Sequence, residues 1–364
     1  MGGTEGMCGA RRPGDVPRDQ ASGEIGKRKR DHLDLALHAD VGFPTLRTGL
    51  DEVRVRSRAL PERDLADVDL RMSLWGRELR APLLISCMTG GVSEAGDVNR
   101  ALAVAAQRHR VVLGLGSGRA LLDDRAVAST YNVRDVAPDV PVLANLGAGQ
   151  LAEYNPQDCA RLVDLCAADA LVVHLNAVHE AVQVRGHTGF GGVLGRIEDL
   201  CAALDVPVVV KEVGFGISPE DAAALVAAGV AGLDVAGAGG TNWARLEGHR
   251  DARMAAVAEA FADWGWPTVE SVRAGRTAID TAGTPTVLIG SGGLRHGVDA
   301  LKVLCLGADL AGFARALLPG AAAGPDAATE AVGVLVDQLR ISAWASGAAT
   351  ADDLGPDLLV SPKP

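Results

Sequence analysis

The chain has 364 residues, a formal net charge of −11 and only 3% aromatic residues. Acidic overall and poor in stacking rings, it is no platform for nucleic acid, which takes aromatics set in a basic groove. No apolar run approaches the ~18 residues of a membrane-spanning helix, so no membrane span is expected.

In chain order, residues 1–24 mix Gly, Pro and charge without an apolar segment of the signal-peptide kind, and read as a disordered tail. The basic run Lys27-Arg28-Lys29-Arg30-Asp31-His32 follows. It is either a solvated segment or an arm that folds over a neighbouring site. Eight short apolar runs then recur, at 82–87, 111–115, 141–146, 170–175, 207–213, 232–236, 285–289 and 310–313. Runs without polar alternation imply strands buried on both faces, as in a parallel sheet. The segments between them have helical spacing, as in 94–109, 156–167 and 219–228. Asn155 and Ser218 precede the last two as candidate N-caps, each with Pro at the first helical position. Eight βα units predict a TIM (β/α)8 barrel over residues 25–348, with a flexible tail over 349–364. Two insertions, 179–192 and 237–268, belong to its C-terminal face, the second with a helix around 252–264. The six cysteines (Cys8, Cys87, Cys159, Cys166, Cys201, Cys305) show no CxxC spacing. They read as reduced thiols of a cytoplasmic protein.

In such a barrel, chemistry belongs to the C-terminal ends of the strands. The seventh run leads into Ser291-Gly292-Gly293-Leu294-Arg295, and the eighth into Ala314-Arg315. Glycines that let backbone amides approach an anion, after strands seven and eight, predict a phosphate cup. The alternative is a Gly-rich turn with an exposed Arg. Met88, Thr89 and Gly90 after strand one, Asn145 on strand three and Lys211 on strand five suit a flat, partly anionic ring system such as a flavin. Lys211 alternatively forms a salt bridge with Glu212 or Asp234. Thr241 lies in a Gly-rich loop able to cover the ring or its phosphate, and Ser218 is counted with this cofactor-binding set as well as being an N-cap candidate. Ser117 and Arg119 after strand two, with Arg28, Lys29 and His32, form the substrate-binding candidates for an anionic ester. Strand four ends His174-Leu175-Asn176-Ala177-Val178-His179-Glu180. Here Glu180 is a candidate Mg²⁺ ligand, His174 a phosphate donor oriented by Asn176, and His179 and His174 the candidate catalytic groups.

Several of these segments together resemble the type 2, flavin-dependent isopentenyl diphosphate isomerases. They are Arg28-Lys29-x-x-His32, Met88-Thr89-Gly90-Gly91, Gly116-Ser117-x-Arg119, Ala144-Asn145-Leu146-Gly147, His174-Leu175-Asn176-x-x-x-Glu180, Lys211-Glu212-Val213-Gly214-Phe215-Gly216, Gly239-Gly240-Thr241-Asn242-Trp243 and Ser291-Gly292-Gly293-Leu294-Arg295. The resemblance implies FMN, Mg²⁺, NADPH as reductant, a homotetramer or homo-octamer, and isomerisation of isopentenyl to dimethylallyl diphosphate. Three positions depart from the family pattern. His179 and Gly118 stand where the family has Gln, and the segment 185–190 is altered. Hence a second reading is a paralogue that shifts double bonds or cyclises a longer or modified prenyl diphosphate, with Gly118 opening space. A 2-hydroxy-acid oxidase and a non-enzymatic flavin binder are the remaining readings.

Overall fold

The apolar runs form strands because both of their faces are covered. In the computed structural model, which describes residues 18–360, eight parallel strands hydrogen-bond in sequence order and close into a barrel. They are β1 (Leu83–Ile85), β2 (Val112–Gly114), β3 (Val142–Gly147), β4 (Ala170–His174), β5 (Val208–Lys211), β6 (Gly232–Asp234), β7 (Val287–Ser291) and β8 (Leu310–Phe313). Closure pairs Gly312 of β8 with Leu84 of β1. The helices that follow the strands bury the outer face, where Leu113, Leu171, Val173, Val210 and Leu233 pack. Leu84, Val112, Leu143, Val172, Val209, Ile289 and Leu310 fill the interior.

The barrel is plugged by a feature that the sequence pattern did not disclose. An antiparallel hairpin, Met72–Leu74 with Arg77–Leu79, inserts Leu74 and Leu79 among those interior residues. Its turn is Trp75-Gly76, both at positive φ (46° and 78°), as a two-residue hairpin loop requires.

Asn155 and Ser218 cap the helices Pro156–Cys166 and Pro219–Ala227 as expected, each accepting from the amide three residues on. The two insertions lie over the C-terminal face. The first holds the short helix Ala177–Val182, and the second holds Trp243–Gly248 and Ala252–Glu259. Phe43, Val182, Phe215, Ala238, Ala244 and Ala258 pack them together there.

The ends of the chain correct two expectations. The tail expected over residues 1–24 lies outside the described residues as far as residue 17, and Arg18–His38 is one helix. Its basic run is therefore neither flexible nor simply solvated. The C-terminal segment expected to be flexible from Ala349 is a packed strap up to residue 360. Leu354 and Leu358 are buried, and backbone bonds tie Asp69 to Ala349, Arg56 to Leu358 and Val360 to Arg54. Its spaced leucines supply the reason, because they find apolar cover that composition alone does not reveal. No helix among the described residues is long and apolar enough to cross a membrane.

Candidate active site

Strand register sets the first row of the site. Parallel pairing places Gly147 beside His174, His174 beside Lys211, and Lys211 beside Asp234 at the C-terminal rim. Above this row lies a cavity of about 540 Å³. All of the predicted site residues except Ser218 line it: Arg28, Lys29, His32, Met88, Thr89, Gly90, Ser117, Arg119, Asn145, His174, Asn176, His179, Glu180, Lys211, Thr241, Gly292, Gly293, Arg295, Ala314 and Arg315. Ser218 is spent on its helix cap, 3.0 Å from the Asp221 amide and 3.0 Å from its carboxylate.

One wall is cationic. The N-terminal helix brings Lys29 to within 3.2 Å of the Tyr131 hydroxyl and 3.3 Å of the Ser117 carbonyl, with no carboxylate partner among the described residues. Burial next to Arg28 and Arg119 pushes its ammonium down to about 7. Arg119 donates to Nε2 of His187, while its buried Nε has no hydrogen-bond partner among the described residues and lies 3.6 Å from the Asp123 carboxylate. Wall and helix are thus suited to a polyanion that supplies the missing acceptors.

The row beneath is more constrained than the sequence suggested. His174 is held by its Nδ1 donating to Oδ1 of Asn145 at 2.8 Å, and burial, with Lys211 nearby, pushes its pKa down to about 3. A neutral ring with the proton on Nδ1 presents a lone pair at Nε2, so His174 faces the site as an acceptor and not as the expected phosphate donor. A Cβ on Gly147 would collide with Oε1 of Gln150 and lie 2.9 Å from that Nε2, which explains the glycine. Asn176 orients Glu180, 2.8 Å away, and not His174. Lys211 is buried, with its ammonium 3.9 Å from Asp234, the alternative partner that its sequence context allowed.

Glu180 accepts from Asn176, from Gln183 at 3.2 Å and from the His187 amide at 2.6 Å. The segment altered after Glu180 therefore closes on this carboxylate. His179 turns the other way. Its Nε2 lies 3.0 Å from Oε1 of Glu247, which is also 2.6 Å from Nε2 of His32, and its ring is 4.9 Å from that of Trp243. Arg250 holds the second oxygen of Glu247 at 2.7 Å. Glu247 escapes a reading of the sequence. Its only signal is a carboxylate four residues after Trp243 on a helix opened by the Gly-rich loop. Tyr131 and Gln150 escape it too, lying in segments without a motif.

The phosphate cup also differs in detail. Gly292 and Gly293 adopt φ of +105° and +72°, and among the described residues no acceptor takes either amide. The helix after them starts at Gly297, two residues beyond Arg295, and its N-terminus is already capped by His296. What this turn offers an anion is its loop amides and not a helix terminus. The guanidinium of Arg295 points outward to Asp51, and that of Arg315 takes the carbonyls of Ala36 and Ala39 at the end of the N-terminal helix. Both residues line the cavity while these side chains serve other partners.

The FMN-dependent dehydrogenase family matches residues 160–361. An isopentenyl-diphosphate delta-isomerase from Synechococcus sp. is 48% identical over 324 residues, covering 88% of this chain and 92% of that one. One from Xanthobacter autotrophicus is 48% identical over 332 residues, covering 90% and 96%. The chain belongs to the isopentenyl-diphosphate delta-isomerase family. Among solved structures, a flavocytochrome b2 variant with sulfite bound superposes with a TM-score of 0.65 at 17% identity, covering 95% of this chain and 92% of that one. A mandelate oxidase variant with an FMN adduct gives 0.61 at 20%, covering 93% and 98%. These two share the fold.

The residues present fit what the isomerase family requires. The untaken amides of Gly292 and Gly293 suit a phosphate, and the buried hydroxyl of Ser86, which has no hydrogen-bond partner among the described residues, lines the same cavity as Lys211 and Asn145. That donor set matches a flavin with a phosphate tail. For Mg²⁺ the protein offers the one carboxylate of Glu180, three of whose acceptor positions are in use. A hard cation held by one carboxylate draws its remaining ligands from substrate phosphate and water. The departure at Gly118 is not at the cavity. A Cβ there would lie 2.5 Å from Cδ1 of the buried Leu162, so the glycine adds no space for substrate.

Proposed function

We propose that this isomerase converts isopentenyl diphosphate to dimethylallyl diphosphate in the cavity described. The observation that carries the reading is the polarity of that cavity. Arg28, Lys29 and Arg119 line the cavity with Glu180, and His179 packs against Trp243 in the same cavity. Glu180 would hold Mg²⁺ against the diphosphate, and the cationic wall would fix its remaining oxygens. Reduced FMN, when bound, would supply an electron-rich ring and a proton at N5, with NADPH as the reductant.

Moving the double bond adds a proton at C4 and removes one from C2, through a transition state with positive charge at C3. His179 is the chain's own proton carrier at that end. It stands where the amide of the family pattern would be, with Nε2 hydrogen-bonded to Glu247. Trp243 presents a ring face that favours a nearby cation. Water is kept out by the N-terminal helix, which supplies five of the lining residues. A cytoplasmic homotetramer or homo-octamer is consistent with the reading.

The holoenzyme, reduced and supplied with isopentenyl diphosphate and Mg²⁺, is expected to release dimethylallyl diphosphate. His179→Ala is expected to lower kcat by about 10²–10⁴-fold, the range of a positioned acid or base, with a smaller change in KM. A paralogue acting on longer prenyl chains loses the steric support expected from Gly118 but keeps His179 as its motive. Product masses from a panel of prenyl diphosphates separate the two, and absence of the dimethylallyl product rejects the first.

A further inference from the structure

Two imidazoles and a carboxylate converge beside the diphosphate wall. His32 comes from the N-terminal helix, His179 from the turn after β4, and Glu247 from the helix Trp243–Gly248. Their nearest donor atoms, two Nε2 and Oε1, lie within 4.8 Å of one another, the one such group of three among the described residues. We propose that His32, His179 and Glu247 form a binding site for a borderline divalent cation such as Zn²⁺, separate from the Mg²⁺ position at Glu180.

The donor set argues for this ion. Two imidazoles and one carboxylate suit Zn²⁺, whereas Mg²⁺ prefers oxygen alone. Tetrahedral ligands about 2.0 Å from an ion lie about 3.3 Å apart. The His–Glu spacings of 2.6 and 3.0 Å must therefore open by about 0.7 and 0.3 Å. Each ring points Nε2 inward, and neither Nδ1 has a protein partner among the described residues. The ring proton can then reside on Nδ1 when Nε2 gives its lone pair to the ion.

The surroundings are those of a ligand set held from behind. Arg250 fixes the far oxygen of Glu247 at 2.7 Å, and its own charge is shared with Asp31 at 3.3 Å. Supporting contacts of this kind orient ligating carboxylates. Trp243 packs on both rings, at 5.4 Å from His32 and 4.9 Å from His179. Glu247 is buried while both histidines line the cavity. A fourth position can therefore face the cavity, for water or a substrate oxygen, and because the ion takes the Nε2 that otherwise carries a proton, the metal-loaded form is a state distinct from the isomerising one. The family pattern, with Gln at position 179, offers only one imidazole, so the site is a property of this chain.

The test is a Zn²⁺ titration of the FMN-loaded protein by calorimetry, with metal content after dialysis measured by mass spectrometry. One Zn²⁺ per chain is expected. H32Q, H179Q and E247Q should each weaken binding by at least about 100-fold, and Glu180→Gln should leave it unchanged. Zinc K-edge absorption of the loaded protein should show two imidazole ligands. Retained FMN and an unshifted melting temperature serve as the folding control. Zn²⁺ that fails to bind, or that binds wild type and H179Q alike, overturns the site. The measurement is independent of turnover, so it stands apart from the isomerase assay.

Discussion

A single buried ammonium illustrates how placement alters chemistry at the residue scale. Lys29 is a surface-type residue in a basic run, but here it is half-buried, and desolvation together with two nearby guanidinium groups pushes its pKa down to about 7. Below that pH it is charged, and above it neutral. A diphosphate docking against Lys29, Arg28 and Arg119 raises the pKa again, so binding near pH 8 must take up a proton. Calorimetry of pyrophosphate binding to the FMN-loaded protein, in buffers of different ionisation enthalpy, is expected to show uptake approaching one proton. Lys29→Arg should abolish it. Gly118 makes a second case. Restoring the family's amide by Gly118→Gln presses on Leu162 and is expected to lower stability by about 1–3 kcal/mol, read from denaturant midpoints.

At the scale of elements, a helix start can resemble a ligand site. Ser218 was a reasonable candidate for both roles, and the structure uses its hydroxyl as an N-cap. Ser218→Ala is therefore expected to cost about 1 kcal/mol in stability while leaving FMN affinity unchanged. The helix after β7 makes the converse point. Its terminus is capped by His296, and the open amides belong to the preceding loop. Much of this layer was legible because caps, Pro at the first helical position and apolar periodicity are local. The Trp75-Gly76 hairpin was not, since it is three residues long on each side and its partners are distant strands.

For the whole molecule, closure decides both stability and access. The N-terminal helix reaches the mouth through His32 on Glu247, Asp31 near Arg250, and Arg315 on its last carbonyls. The C-terminal strap covers other apolar surface. Deleting residues 349–364 is expected to lower stability by about 3–6 kcal/mol, the burial of Leu354 and Leu358, and to leave flavin affinity intact. Thermal or denaturant unfolding with a flavin titration checks both halves of that statement.

The amino-acid order alone determined the eight-strand barrel, the site rim and the likeness to flavin-dependent isomerases, because strand burial and Gly-rich turns are written in neighbouring residues. Only the tertiary structure decided that His174 is a neutral acceptor, that Gly118 faces Leu162, and that Glu247 joins His32 to His179. Those facts depend on residues separated by 29, 44, 215 and 68 positions in the chain. Such separations bring together desolvation, charge and contact, and no local pattern carries them.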